Sequence, residues 1–154
     1  MTNATKLHYA LKVNKLSEIV AKIKQAGFKQ TKVRSALLKS LLQTRTPLSV
    51  PELELNLSNQ GLKANKSTLY REITFLKEQG IIKEIQLGED KKRFEIEGET
   101  HHHHLVCIKC EDILDYELER ELDEEEQKIT KNTHFKVLNH SLEFFGLCKT
   151  CQQV

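Results

Sequence analysis

The residues with the most specific chemistry are four cysteines in two CxxC pairs, Cys107 with Cys110 and Cys148 with Cys151. Two such pairs supply the four thiolates of a tetrahedral zinc site, in which Zn²⁺ links distant segments of chain and has no catalytic role. Disulfides and free thiols are the alternatives. Because the sequence shows no signal peptide and no apolar span, we expect a cytoplasmic protein that does not enter a membrane, and disulfides rarely persist in that compartment. The spacing therefore favours structural zinc.

Charge divides the chain into two halves. Residues 1–97 hold 18 Lys/Arg against 10 Asp/Glu, and residues 98–154 hold 6 against 12. A basic half suits a polyanion, whereas an acidic half that also contains the cysteines and a run of four histidines suits metal cations. We therefore expect two small domains with these bounds, joined by a hinge at about 97–101 and stabilised by a metal or a partner chain. Residues 1–12 carry weak signals and are treated as an extension.

Hydrophobic spacing predicts four helices in the basic half, the first of them over residues 14–26. The second helix is expected to start at Thr31, the third at a capping box from Ser49 to Glu52 with Pro51 in its first turn, and the fourth at Asn65 or Ser67. Stop signals for the helices include Gly27, Gly61 and Gly80. Two β-prone runs follow, 81–85 and 93–96, with a polar loop at 88–92 between them. Helices followed by a small hairpin predict a winged helix-turn-helix, with the fourth helix as the recognition helix and the loop as the wing.

The acidic half has the pattern of a small α/β domain. Strands are predicted over residues 105–108, 113–117 and 135–145, with one helix over about 119–131. The whole chain is therefore expected to be an α+β protein: an N-terminal winged-helix DNA-binding domain followed by a small α/β dimerisation domain.

A recognition helix needs small or polar residues in its first turn to reach base edges, and cations to hold phosphates. Thr68 or Tyr70 could contact a thymine methyl group, and Arg71 could hold phosphate or guanine. Basic residues around the second helix are candidates for contacts with the DNA backbone or the minor groove. The predicted DNA-binding residues are Lys29, Lys32, Arg34, Ser67, Thr68, Tyr70 and Arg71.

Several motifs together resemble the ferric uptake regulator family, over roughly residues 25–151. They are GFKQTKVRSALL, NKSTLYREITFLKEQGII, FEI, HHHHLVCIKC, NHSLEFFGLC and a closing CKTC. The family consists of bacterial metal-responsive repressors that act as homodimers. The resemblance therefore implies a homodimer that binds double-stranded DNA, for which we expect an AT-rich palindromic operator.

The resemblance also implies three metal sites. Cys107, Cys110, Cys148 and Cys151 match the structural zinc site of the family. Glu95, His102, His104 and Asp115 match the regulatory site of the family, which lies at the hinge between the domains. His101, His103, Asp123 and His140 match a further site of the family, in the dimerisation domain. Successive side chains of an extended segment point to opposite faces, so alternate histidines of the run can serve different sites.

Two departures from the family pattern bear on the regulatory site. Members commonly supply another histidine from the turn before the third helix, where this chain has Thr46, Pro47 and Leu48. Asp115 stands where iron regulators usually have glutamate, and aspartate is more typical of the peroxide-sensing branch. Zinc sensing would usually need a cysteine in the regulatory site, and the four cysteines are already assigned.

We therefore expect a non-enzymatic, metal-responsive transcriptional repressor that binds its operator when Fe²⁺ or Mn²⁺ occupies the regulatory site, and that controls iron homeostasis or peroxide-stress genes. Imidazole and carboxylate ligands suit these ions but discriminate poorly between them. One alternative is a zinc-dependent hydrolase with Glu95 or Asp115 as general base, although the sequence has no HExxH motif. Another is a metal-buffering protein, which would not need the basic half. Metal-dependent retardation of a DNA duplex distinguishes the repressor from both.

Overall fold

The computed structural model describes residues 3–44, 46–87, 92–98, 102–118, 122–138 and 140–153, with side chains from residue 14 onward. Contacts within the chain separate two compact units, Met1–Glu99 and Thr100–Val154. In the described residues no helix is long and apolar enough to cross a membrane.

The first unit contains four helices and one small sheet. The helices are α1 Asn3–Gln25, α2 Lys32–Gln43, α3 Val50–Asn59 and α4 Lys66–Glu78, and the strands are β1 Leu48–Ser49, β2 Ile82–Gln86 and β3 Lys92–Ile96. The antiparallel sheet has the order β1-β3-β2. One face of each helix and of the hairpin packs into a single apolar core, in which Leu37, Leu38, Leu53, Leu69 and Leu76 are fully buried.

The predicted helix starts are confirmed for α2, α3 and α4, because each depends on a local capping group. The Thr31 side chain accepts a hydrogen bond from the Arg34 N–H, and the Asn65 side chain accepts one from the Thr68 N–H at 2.8 Å. The Ser49 N–H donates to Glu52 Oε2 at 2.7 Å. These bonds satisfy backbone or side-chain groups that a helix start would otherwise leave without a partner.

Two predictions for the first unit need correction. The first helix begins at Asn3 and not at residue 14, since neither Gly nor Pro interrupts residues 3–25 and weak amphipathicity is no barrier to helix formation. The two-residue strand β1 was not predicted, because its pairing with β3 depends on a segment more than forty residues away along the chain. The predicted wing loop lies outside the described residues except for Lys92, and the predicted hinge lies outside them except for residues 97 and 98.

The second unit is a three-stranded sheet with one helix. Its elements are β4 His103–Cys107, β5 Ile113–Tyr116, α5 Asp123–Thr133, β6 Glu143–Gly146 and a short 3₁₀ helix, Cys151–Gln153. The central strand β4 pairs antiparallel with β5 and parallel with β6. The predicted strand over residues 135–145 is wrong for its first part, since only Glu143–Gly146 reaches the β4 backbone. The first residues of the predicted helix, 119–121, lie outside the described residues.

Candidate metal centres and nucleic-acid surface

The four cysteine sulfurs of the second unit converge. All four Sγ atoms lie within 4.8 Å of one another, and those of Cys110 and Cys148 are 3.7 Å apart. A tetrahedral zinc site with Zn–S distances near 2.3 Å has sulfurs about 3.8 Å apart. The four side chains therefore fit Zn²⁺ in both ligand type and spacing.

The parallel pairing of β4 with β6 positions the two cysteine pairs. Cys107 is the last residue of β4 and lies opposite Gly146, the last residue of β6. The Ile108 N–H donates to the Gly146 carbonyl at 2.8 Å, so the chain segments that follow both strands start side by side. Cys110 lies in the turn after β4, and Cys148 follows β6 by two residues. The pairing of β4 with β6 thus places the two cysteine pairs side by side.

The thiols of this cluster differ in their ease of ionisation. Backbone N–H groups, first that of Cys148 and then those of Cys110 and Lys109, lower the pKa of Cys107 to about 6; the Cys148 N–H lies 3.3 Å from Cys107 Sγ. The hydrogen bond with Cys148, burial and the neighbouring sulfurs raise the pKa of Cys151 to about 12. Successive thiolates in so small a volume repel one another, and a divalent cation removes that penalty.

The structure also brings together three of the side chains predicted for the regulatory site. His104 lies directly opposite Asp115 in the β4–β5 ladder, with His104 Nδ1 3.3 Å from Asp115 Oδ1. The rings of His102 and His104 are 5.0 Å apart between centroids, edge to face. His104 is buried and Asp115 is partly exposed, and because they lie directly opposite each other, their imidazole and carboxylate groups share one face of the sheet. This donor set suits Fe²⁺ and Mn²⁺.

The fourth predicted regulatory residue, Glu95, belongs to β3 of the first unit. Its carboxylate is buried, and Lys83 of β2 lies directly opposite it in the ladder. Lys83 Nζ is 2.9 Å from Glu95 Oε1. An ammonium group therefore contacts the one predicted ligand that the DNA-binding half provides, a feature that the sequence analysis did not anticipate.

On the other face of β4, His103 and His140 form a separate group. Their rings stack at 5.9 Å with an interplanar angle of 26°. His103 Nδ1 lies 3.1 Å from the Leu142 carbonyl oxygen, and His140 Nδ1 lies 2.7 Å from Glu126 Oε1. A carbonyl and a carboxylate both accept hydrogen bonds, so each ring donates from Nδ1, and Nε2 is the nitrogen left to bind a metal.

In this group His140 has a carboxylate neighbour that is not among the residues predicted for the additional site. The carboxylate that contacts His140 belongs to Glu126, whereas Asp123 is an exposed residue in the first turn of α5. Glu126 belongs to the acidic run Asp123 to Glu126, a pattern that is also typical of a solvated helix face. Its spacing of three residues from Asp123, which places both on one side of a helix, was the available signal. His101, the remaining predicted member, lies outside the described residues.

Helix α4, which the sequence predicts as the recognition helix, has a packed side and an exposed side. Leu69, Ile73 and Leu76 are buried, whereas Ser67, Thr68, Tyr70 and Arg71 are exposed or half-buried, with Tyr70 52% exposed. The exposed group contains all four residues predicted for the helix. Lys29 and Lys32 are also exposed. These side chains are accessible to a phosphate backbone or to base edges.

Arg34 is different, and its predicted contact with DNA is not favoured by the structure. The side chain is buried, and its Nε lies 2.7 Å from Glu72 Oε2 on α4. Its Nη1 donates to the Lys29 carbonyl at 2.7 Å, and its guanidinium lies 3.6 Å from the centroid of the Phe75 ring. Arg34 therefore joins α2 to the recognition helix, and its charge is neutralised inside the protein.

Further ion pairs join the hairpin to the helices. Arg93 Nη1 donates to the Pro47 carbonyl at 3.1 Å and to Glu52 Oε2 at 2.9 Å, which ties β3 to the start of α3. Glu84 of β2 contacts Lys77 of α4 and also Lys92, whose Nζ is 2.9 Å away. Hydrogen bonds from Lys77 and then Lys92 lower the pKa of Glu84. The base of the wing is thus fixed to the recognition helix.

Comparison with known proteins adds independent findings. A model of the ferric uptake regulator family matches residues 25–145. The peroxide-responsive repressor PerR of Staphylococcus aureus is 33% identical over 140 residues, which cover 90% of this chain and 93% of that protein. The structure is similar to that of the Helicobacter pylori ferric uptake regulator Fur, reported with three functional metal-binding sites (TM-score 0.76, 26% identity, 92% and 93% of the chains covered). It is also similar to the iron-bound regulator of Francisella tularensis (TM-score 0.71, 26% identity, 82% and 96% covered).

Proposed function

The chain belongs to the ferric uptake regulator family, and we propose that it is a metal-responsive transcriptional repressor of the peroxide-sensing branch. Members of this family are DNA-binding regulators, not enzymes, and solved structures of similar fold contain zinc, iron or manganese. Two observations support the branch: the identity with the Staphylococcus repressor, and Asp115 in the place where iron regulators usually have glutamate. The genes it controls are then those of peroxide stress or iron homeostasis.

We assign a structural role to zinc, held by Cys107, Cys110, Cys148 and Cys151. The sulfur spacing supports this role, and so does the small core of the second unit. Zinc at this place joins the end of β4 to the segment after β6, which keeps the sheet closed at that end. It supplies crosslinking, not catalysis, because four thiolates leave no open coordination position.

The regulatory ion, Fe²⁺ or Mn²⁺, is assigned to His102, His104, Asp115 and Glu95. The observation that carries the functional proposal is the buried His104 imidazole facing the Asp115 carboxylate with His102 beside it. His104 lies on β4, the strand that ends at Cys107, and Asp115 lies opposite it on β5. The missing histidine at Thr46–Leu48 leaves a carboxylate, Glu95, as the contribution of the DNA-binding half. His103 and His140, with His101 and either Asp123 or Glu126, form the additional site.

We further propose that two copies of the chain bind an AT-rich palindromic operator in the cytoplasm. A bound ion supplies positive charge that favours one arrangement of the buried imidazole and carboxylate groups over others. A homodimer presents two α4 helices, and a two-fold axis matches a palindrome whose half-sites face successive major grooves. Metal raises DNA affinity only as far as it binds the DNA-competent state more tightly than the alternative state.

Gel-shift titration of the zinc-loaded protein under anaerobic conditions tests this function. Mn²⁺ or Fe²⁺ should retard an AT-rich palindromic duplex, and the metal-free regulatory site should not. H102A should keep its zinc and its dimer but lose the metal-dependent retardation. H134N is the matched control, because His134 is an exposed residue with a left-handed φ of 57° at the end of α5, a conformation that asparagine tolerates. Metal uptake without any DNA binding would refute the repressor and favour the buffering protein.

A further inference from the structure

We propose that Lys83 sets the metal affinity of the regulatory site by competing with the ion for Glu95. The inference rests on the proposed function, in which Glu95 is a ligand of the regulatory ion. The two residues lie directly opposite each other in the β2–β3 ladder, and Lys83 Nζ is 2.9 Å from Glu95 Oε1. Lys83 thus contacts a carboxylate oxygen that the metal would also need as a ligand.

The strand geometry makes this contact a fixed feature of the hairpin. Residues directly opposite in an antiparallel pair have their side chains on the same face, about 5 Å apart at Cβ. Phe94 and Ile96, the neighbours of Glu95 along β3, point to the opposite face and pack in the core. They prevent the strand from rotating Glu95 away from Lys83. The lysine side chain therefore reaches the carboxylate whenever it is not turned into solvent.

Metal binding must disturb this ion pair in one of two ways. If the ion takes Glu95 Oε1 from the ammonium group, the energy of the ion pair is lost. If the ammonium group stays, it repels the doubly charged ion from a few ångströms away. Both routes weaken metal affinity. Because the Lys83 side chain is 43% exposed, it can turn into water, and the penalty is that of a partly exposed pair and not that of a buried one.

Removing the ammonium group should therefore strengthen metal binding. We expect K83M to bind Mn²⁺ about threefold to fivefold more tightly than the wild-type protein, the upper part of the range expected for a partly exposed pair. K83R keeps the charge and should lie within about twofold of wild type, which separates a charge effect from a loss of packing.

The same hairpin offers a matched control. Lys92 Nζ is 2.9 Å from Glu84 Oε1, also between β2 and β3, and neither residue belongs to a proposed metal site. K92M removes the same charge from the same hairpin and should leave the Mn²⁺ dissociation constant within about twofold of wild type. Lys92 is the more exposed of the two lysines, so its removal also places less strain on the fold.

The experiment is a competition titration with a fluorescent chelator, with Mn²⁺ as the probe and zinc-loaded, full-length protein. Wild type, K83M, K83R, K92M and E95Q are compared after their melting temperatures have been measured. The Mn²⁺ concentration at half-maximal retardation of the operator duplex provides a second readout, and it should shift for K83M by the same factor as the dissociation constant.

The outcomes separate this inference from the function on which it rests. Weaker Mn²⁺ binding by E95Q together with tighter binding by K83M alone supports the competition. Unchanged or weaker binding by K83M, while E95Q loses affinity, overturns the role of Lys83 and leaves the regulatory site in place. Equal tightening by K92M overturns it as well, since the effect would then be one of net charge. If E95Q binds Mn²⁺ as tightly as wild type, Glu95 is not a ligand of the ion, and the competition with Lys83 is refuted as well.

Discussion

Arg34 provides the strictest test of how the recognition helix is held. We expect R34M to destabilise the first unit by about 3 kcal/mol, because removing one member of a buried ion pair usually costs 3–5 kcal/mol. The value lies at the lower end for a structural reason. In R34M the Glu72 carboxylate loses its ion-pair partner but keeps a hydrogen bond from the Thr31 hydroxyl at 3.0 Å. The methionine side chain also replaces part of the apolar stem of arginine against Phe75.

A double-mutant cycle with E72Q isolates the pair. Each single variant should be clearly destabilised, and the two losses should fall short of additivity by about 1.5–3 kcal/mol, as for residues in direct contact. Guanidinium denaturation of zinc-loaded protein, followed by far-ultraviolet circular dichroism, is the assay. Since α1 to α4 hold most of the helical residues, the helical signal reports chiefly on the first unit.

The competing interpretation is a phosphate contact, which the basic character of the segment suggests from sequence alone. It makes the opposite prediction: R34M would keep its stability within about 0.5 kcal/mol, and the slope of DNA affinity against salt would fall by about one. That result would refute our reasoning. K32M is the internal standard, because Lys32 is exposed on the same helix and should show this phosphate-contact behaviour.

Three further outcomes follow from the same contacts. C107S should lose zinc and the dimer, since structural zinc contributes about 10–16 kcal/mol in small domains; a zinc-free variant that light scattering shows to be dimeric would contradict this. Burial opposes ionisation of Glu52, but hydrogen bonds from Ser49 and then Arg93 outweigh it and lower its pKa. Its stabilising effect is therefore present above about pH 4.5 and lost as the pH falls through the lowered value, so the gap in unfolding free energy between wild type and E52Q should narrow as the pH falls below about 4.5; a gap that does not change with pH counts against it. Y70A should weaken operator binding by about 1 kcal/mol without changing the melting temperature, because its ring is exposed, and a stability loss would place it in the packing instead.

Local signals explain why the helical half was predictable. Thr31, Ser49 and Asn65 each act on a backbone group within three residues, so a sequence window contains everything that decides the helix start. The same holds for the cysteine pairs, where two residues of spacing determine the geometry of each half of the zinc-type cluster.

Features that depend on distant segments were not predictable. Nothing next to Arg34 shows that its counter-charge lies 38 residues further on, so its charge was interpreted as a surface property. Residues 135–145 are rich in apolar and aromatic side chains, as many strands are, but a strand needs a partner with unpaired N–H and C=O groups. In this region only Glu143–Gly146 pairs with β4. Asp123 and Glu126 lie on one side of α5, and only the tertiary structure shows that Glu126 is the one in contact with His140.

The second unit shows why its metal and its dimer cannot be separated from its fold. Among its described residues, the buried apolar side chains are those of Cys107 and Ile113, and α5 buries none. Large apolar side chains remain exposed on the strands and the segments beside them, among them Leu114, Phe144 and Phe145. So small a core cannot offset the conformational entropy of about fifty residues. Zinc must supply part of the difference, and burial of the exposed apolar face against a second copy must supply the rest.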